Sequence, residues 1–402
     1  MRIFILALLH LLVGCTNVQN KGNDSTNVDS QKGLVTFHLN APPSTVEPLL
    51  LSELADSVSY VALETTKETL TKDGVQYGDR FYSIVDKKIL CFDENGKFLH
   101  QVGKCGNGPE EFIWSRDDYR NLKVDVHTNW IYCRSIDGKV QVYDQNGRFI
   151  KSLTGNDYNH FISMVYNYNV SFITGDSTYL IDTHTNKKVW MNRISNELRQ
   201  KWKLLFEKYR NMKKQSFSTY GMSQVIYSSN KAWYLWYAFR SDTVYMANNN
   251  EFKPFCLIAP QNKFKYEDQF DETFKSIPHQ PLIQSMYVLK DLILLHVIYF
   301  ASNSLQDNYN DYWVVCDMKD RSVSYHSNYI VNDLDGGPNI KNSDDIYTLS
   351  VEDFKNDKEI YNSYFTEGVK VKLKDQEGKF QHLLESLVDD ANPIIRTIYW
   401  KE

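Results

Sequence analysis

Short apolar runs broken by polar turns dominate the chain. Cys91-Phe92-Asp93-Glu94-Asn95-Gly96-Lys97-Phe98-Leu99 and Val142-Tyr143-Asp144-Gln145-Asn146-Gly147-Arg148-Phe149-Ile150 stand 51 residues apart. They share the order aromatic, Asp, any residue, Asn, Gly, basic, Phe, aliphatic. Such a pattern predicts two antiparallel strands around a tight turn. Asn-Gly is favoured in a type I′ turn, whose two central residues both need φ > 0, and the preceding aspartate can hydrogen-bond the turn backbone. Looser copies occur at Leu180–Val189, Val244–Phe252, Val314–Val323 and Val371–Phe380. Trp233–Tyr237 alternates as a strand does. Leu292–Ala301 contains His296 and follows Lys290 and Asp291, so it reads as a buried strand rather than a membrane span. Val35–Leu39 and Ile394–Trp400 are strand-like segments near the two ends, placed to complete one closing blade together.

Helical spacing is confined to inserts. Ser195–Lys214 sets Leu198, Trp202, Leu205, Phe206, Tyr209 and Met212 on one face and lysines and arginines on the other. Phe380, Leu383, Leu384, Leu387 and Val388 form a second stripe, and a weaker one runs over Glu267–Lys275. Repeated hairpins along the chain predict an all-β fold, a six-bladed β-propeller with short helical insertions, over residues 34–402. Six units of roughly 60 residues exceed the ~40–45 of a compact blade and leave room for the inserts. Closing the ring removes free sheet edges.

Composition narrows the class. The 402 residues include 27 Tyr, 21 Phe and 8 Trp, too much aromatic mass for a disordered chain. With 18 Gly and 10 Pro, collagen-like and low-complexity readings fail. A net charge of -5 supplies no general field for gripping nucleic acid.

The N-terminus gives an address. Residues 1–15, MRIFILALLHLLVGC, carry Arg2 and then an apolar run too short to cross a bilayer core of ~30 Å. Leu12-Val13-Gly14-Cys15 resembles a bacterial lipobox, which implies cleavage before Cys15 and lipid on its thiol. Residues 16–33 are polar and read as a flexible tether. No aspartate follows Cys15 directly, which by resemblance to Gram-negative sorting rules implies the outer membrane, facing the periplasm or the surface. The membrane, reached through this lipid, is thus one expected partner. The remaining Cys91, Cys105, Cys133, Cys256 and Cys316 match no metal or redox spacing and are expected as free thiols, mostly buried.

Several motifs together resemble the six-bladed β-propeller lipoproteins of Bacteroidetes, which are similar to NHL-repeat propellers. They are Ser59–Thr66, Phe92–Phe98, Gly103–Phe112, Ser241–Tyr245, Asn332–Gly337 and Asn392–Ile395, in that order. The resemblance implies fold and address rather than chemistry. Metal-dependent lactonases on six-bladed propellers place their ligands on separate blades, so a lactonase- or lyase-like enzyme stands as the alternative, and a structural subunit of an envelope complex as a third reading.

Candidate chemistry is sparse. His-Glu-x-x-His and Gly-x-Ser-x-Gly are absent from the sequence, and no catalytic residue, metal ligand or cofactor is assigned. Gly103–Phe112 lacks the Gly-Lys-Ser/Thr ending of a phosphate loop and reads as an inter-blade connection anchored by Phe112. Asn332–Gly337 lacks the further oxygen ligands of a calcium loop and reads as an Asx-bonded turn. Trp114, Arg116 and Tyr119 combine aromatics with an arginine in a loop and are the candidate ligand-binding residues. The expected role is non-catalytic binding of a small molecule or an envelope protein.

Overall fold

The computed structural model describes residues 33–71, 75–114, 121–154, 161–173, 177–193, 200, 224–227, 233–236, 242–248, 251–261, 281–300, 309–335, 337, 339–341, 348–349, 392 and 394–401. The expected helices at 195–214 (but for residue 200), 267–275 and 380–388, the hairpin at 371–380, and Cys15 with its tether up to residue 32 lie outside these residues.

The N-terminal part supplies β1 (Val35–Leu39), β2 (Glu47–Leu50), the one-turn helix α1 (Leu51–Leu54) and β3 (Ala55–Ala62). Blade 1 follows as β4 (Val75–Tyr77), β5 (Arg80–Val85), β6 (Lys88–Phe92) and β7 (Phe98–Val102). Blade 2 is β8 (Leu122–Asp125), β9 (Trp130–Arg134), β10 (Val140–Tyr143) and β11 (Phe149–Leu153). Blade 3 is β12 (Phe161–Tyr166), β13 (Asn169–Ile173), β14 (Ser177–Asp182) and β15 (Lys187–Arg193). Blade 4 is β16 (Gln224–Tyr227), β17 (Trp233–Trp236), β18 (Thr243–Asn248) and β19 (Glu251–Pro260). Blade 5 is β20 (Pro281–Val288), β21 (Leu292–Phe300), β22 (Tyr309–Asp317) and β23 (Val323–Val331). A closing sheet holds β24 (Thr348–Leu349), β25 (Ile394–Trp400) and β3.

Each blade is an up-and-down antiparallel meander, and the first strands of neighbouring blades, β8, β12, β16 and β20, contact one another in sequence. The fold is therefore a β-propeller. Five sheets have four or more strands and the closing sheet has three, so the described residues form five complete blades, not the six expected.

Stacking explains the sequence pattern. A middle strand is covered on both faces by neighbouring blades, so Ile293, Leu294, Leu295 and Val297 are all buried and alternation disappears. The outer strand β7 faces solvent on one side, and its Leu99 is 41 % exposed. The apolar clusters lie between consecutive blades. One joins Ile84, Ile89 and Phe112 to Leu122 and Ile131; another joins Phe81, Phe92 and Leu63 to Ile395. All five described cysteines are free, and Cys91, Cys133, Cys256 and Cys316 are buried.

The repeat hairpins form, with a different turn. Gly96 N–H donates to the Asp93 carbonyl (3.0 Å) and Gly147 N–H to that of Asp144 (3.0 Å), so Glu94-Asn95 and Gln145-Asn146 are the central pairs. Gly96 (φ +78°) and Gly147 (φ +76°) have left-handed backbone, whereas Asn95 and Asn146 do not. The ladder shifts register beside both turns. This is a type I turn followed by a glycine bulge, not the type I′ turn expected. The reason is the aspartate: its Oδ1 accepts the N–H groups two and four residues on (2.8–2.9 Å), which fixes the longer turn.

The termini differ from expectation as well. Ile394–Trp400 pairs antiparallel with β3, not with Val35–Leu39. β1 instead adds a fifth, parallel strand outside β19, and β2 adds one outside β23. The N-terminal segment thus straps blade 4, blade 5 and the closing sheet in turn.

Candidate functional site

The connection from blade 1 to blade 2 forms one wall of an open cleft. Gly103 leaves β7 with φ +53°, and a Cβ there would lie 2.5 Å from the Tyr143 ring. The loop then closes on itself: Phe112 N–H donates to the Lys104 carbonyl (3.1 Å) and Gly106 N–H to that of Phe112 (2.9 Å). Gly106 and Gly108 do not have left-handed backbone; they are small because the Glu111 carboxylate occupies the space where a Cβ would go. That carboxylate accepts Gly108 N–H (2.9 Å) and pairs with Lys104 Nζ (3.2 Å). The hydrogen bond from Gly108, then Lys104, holds the Glu111 carboxyl below the usual range.

Blade 2 supplies the opposite wall and fastens the loop. Tyr143 Oη donates to the Glu110 carbonyl (2.7 Å), and Gln141 Nε2 donates to those of Glu111 (2.8 Å) and Pro109 (3.3 Å). Ser152 Oγ donates to Gln141 Oε1, fixing the amide. Burial raises the Tyr143 hydroxyl, so it stays a protonated donor. The Asp144–Arg148 turn rests on the end of β7, where Gly103 N–H donates to the Gly147 carbonyl (3.2 Å). Between the walls lies a cleft of about 520 Å³ lined by Lys104, Glu110, Tyr143, Arg148 and Phe149, among others.

Gly103–Phe112 is therefore the inter-blade connection expected, with Phe112 fully buried as its anchor. The Glu111 carboxylate is engaged by Gly108 N–H and Lys104 of its own loop. Trp114, named as a ligand-binding candidate, is a packing residue: it is 2 % exposed, its ring lies 4.5 Å from Phe112, and its Nε1 donates to the Arg134 carbonyl (2.7 Å). Arg116 and Tyr119 lie outside the described residues. The cleft residues missed in the sequence are Tyr143, Arg148 and Phe149. The signal for them was the second repeat copy, which contains all three.

Asn332–Gly337 is a turn of Asx bonds, as expected. Asn332 Oδ1 accepts Leu334 N–H (3.3 Å) and Asp335 Oδ1 accepts Gly337 N–H (2.9 Å). Its ligand is the protein itself. Asn332 Nδ2 donates to Asp335 Oδ1 (2.7 Å) and to Tyr60 Oη (2.9 Å) of β3, and Asp333 accepts Ser52 N–H (2.8 Å). Burial, first of all, raises the Asp335 carboxyl above its ordinary value, with the buried Arg396 of β25 acting in the other direction. Asn392 binds the segment that follows β3, donating to the carbonyls of Glu64 (2.8 Å) and Thr69 (2.9 Å) and accepting Thr71 N–H (2.7 Å). Among the described residues, no group of three or more His, Cys, Asp or Glu is placed to hold a metal ion.

Similarity to known proteins follows the fold. A candidate exported protein of Bacteroides fragilis NCTC 9343 superposes with a TM-score of 0.56 at 14 % identity, covering 91 % of this chain and all of its own. A member of the DUF4221 family from Bacteroides vulgatus ATCC 8482 gives a TM-score of 0.40 at 10 % identity, over 68 % of this chain and 85 % of its own. No curated protein matches the chain. The model of the domain of unknown function DUF4934 matches residues 34–399, and the chain belongs to that family.

Proposed function

We propose that the chain is a non-catalytic binding propeller, held at the outer membrane by lipid on Cys15, that takes a small molecule or an envelope protein in the cleft between blades 1 and 2. One observation carries the reading. The walls of the cleft are locked by hydrogen bonds before any ligand arrives, so little ordering cost attends binding. Lys104, Glu110, Arg148 and Phe149 supply both charges and an aromatic ring, the mixture that gives orientation and contact area. The address is supported by the lipobox sequence and by the name of the Bacteroides fragilis neighbour, described as exported. The closing sheet is proposed as a sixth blade; a crystal structure with four strands there is the expected result.

The test is paired. The lipidated protein is purified from its own envelope, together with a Lys104→Glu/Arg148→Glu variant of equal thermal stability. A partner retained by the first and lost by the second supports the cleft; equal retention overturns it. Cys15→Ala is expected to move the protein from the membrane to the soluble fraction, and persistent membrane association would refute the anchor.

A further inference from the structure

The strongest unexplained feature lies between blades 2 and 3, away from the cleft. The β12–β13 hairpin turns through Asn167 (φ +44°) and Tyr168 (φ +66°), a two-residue turn with both residues left-handed. Asn tolerates that conformation, but a bulky tyrosine there is an outlier. The turn is held by force from both sides. Tyr168 N–H donates to Oδ2 of the buried Asp125 (2.9 Å), and the Tyr168 carbonyl accepts Thr183 N–H (2.9 Å). Strain that the surroundings over-determine points to a use for the side chain.

That side chain joins an aromatic cluster at the surface. The Tyr168 ring lies 4.9 Å from Trp130, edge to face at 80°, and 4.3 Å from His184 at 60°. Trp130 and Tyr168 are half-buried and His184 is exposed. Lys151 Nζ sits 5.0 Å over the Trp130 ring while donating to the Thr183 carbonyl (2.7 Å). The chemistry of this cluster selects among guests. A cationic guest would meet the ammonium already on Trp130. A flat aromatic guest needs a parallel slot, and these rings are steeply inclined to one another. A puckered saturated ring suits the arrangement: its C–H edges face the negative ring faces, and its hydroxyls can bond the Tyr168 hydroxyl and the His184 imidazole.

We propose that Trp130, Tyr168 and His184 form a saccharide-binding site, with Tyr168 held in a strained turn to present its ring. Asp125 acts as a positioning residue beneath it.

The test uses maltotriose, cellotriose and tri-N-acetylglucosamine as probes in saturation-transfer NMR against the full chain. The expected result is saturation of ring C–H protons of at least one probe. Tyr168→Asn, which suits the turn, is expected to weaken that binding at least tenfold with a melting temperature equal to or above that of the parent. His184→Ala, at an exposed position, is expected to weaken it without a change in melting temperature, while Lys104→Glu/Arg148→Glu leaves it intact. No transfer to any probe at millimolar concentration overturns the proposal, as does undiminished binding by Tyr168→Asn. A lowered melting temperature in Tyr168→Asn would make the tyrosine a packing residue and overturn it too.

Discussion

At the residue scale, one backbone requirement recurs with different answers. The turns after Asp125, Asp182 and Asp317 return an N–H to the aspartate carbonyl from Asn129, Asn186 and Arg321, and all three have left-handed backbone (φ +58°, +55° and +64°). Asparagine accepts that conformation readily, and arginine does not. Arg321 is exposed and begins no described side-chain bond that a glycine would forfeit. Arg321→Gly is therefore expected to raise unfolding stability by about 1 kcal/mol in urea titration. Gly147→Ala is expected to act oppositely, by about 1–2 kcal/mol, because its Cβ would also press to 2.8 Å of the Gln101 carbonyl. The position of the Asp93 and Asp144 turns was legible from Asp-x-Asn-Gly. Their type was not, because Asn-Gly chemistry fits two turns and only the aspartate's pair of hydrogen bonds decides between them.

At the element scale, motifs remote in the chain meet in the closing sheet. Ser59–Thr66, Asn332–Gly337 and Asn392–Ile395 were visible one by one, yet nothing in their spacing says that they touch. Long-range pairing is set by how the ring closes, and only then does Tyr60 find Asn332 and Asp335. Asp335 makes this assembly titratable. Its carboxyl is raised above the ordinary 3.8, chiefly by burial, so the folded state holds the proton more tightly than the unfolded one. Its contribution is then fully present below pH 3.8 and is lost as pH rises through the raised value. Asp335→Asn keeps an oxygen for the Gly337 N–H but cannot ionise. The stability of this variant relative to the parent is expected to improve as pH rises from 4 to 7, read by urea midpoints at each pH. A difference independent of pH would place the charge elsewhere. The same logic separates Trp114 from the true cleft wall. Its aromatic-plus-arginine surroundings looked like a recognition loop, but a ring between two stacked sheets is consumed by packing, whereas the half-buried Phe149 at the start of β11 still lines the cleft.

At the scale of the whole molecule, the N-terminal strap decides how the ring is held. Hairpin periodicity made a propeller legible, and the strand-like ends suggested closure. What the pattern concealed was the partner of each end, because any apolar pentapeptide can extend any open sheet edge. β1 takes the outer edge of blade 4 in parallel, buries Phe37 and Leu39 in the core shared with blade 5, and passes its Asn40 carbonyl to the hydroxyls of Tyr299 (3.0 Å) and Tyr325 (2.6 Å). β2 and α1 then bury Leu49, Leu51 and Leu54 between blade 5 and the closing sheet, where Lys401 N–H donates to the Leu54 carbonyl (3.0 Å). A single segment thus fastens three neighbouring sheets, including the seam where the chain ends meet. Truncating one of its anchors therefore acts on the ring and not on one blade alone. Phe37→Ala is expected to cost about 3–5 kcal/mol, enough to consume much of a marginal stability of roughly 5–15 kcal/mol. Limited proteolysis should show where that loss is felt. Cleavage is expected to quicken in blades 4 and 5 and in the closing sheet together, while blades 1 and 2, whose shared core the strap does not enter, keep their protection. Acceleration confined to blade 4 would show β1 to be a local edge strand rather than a clasp.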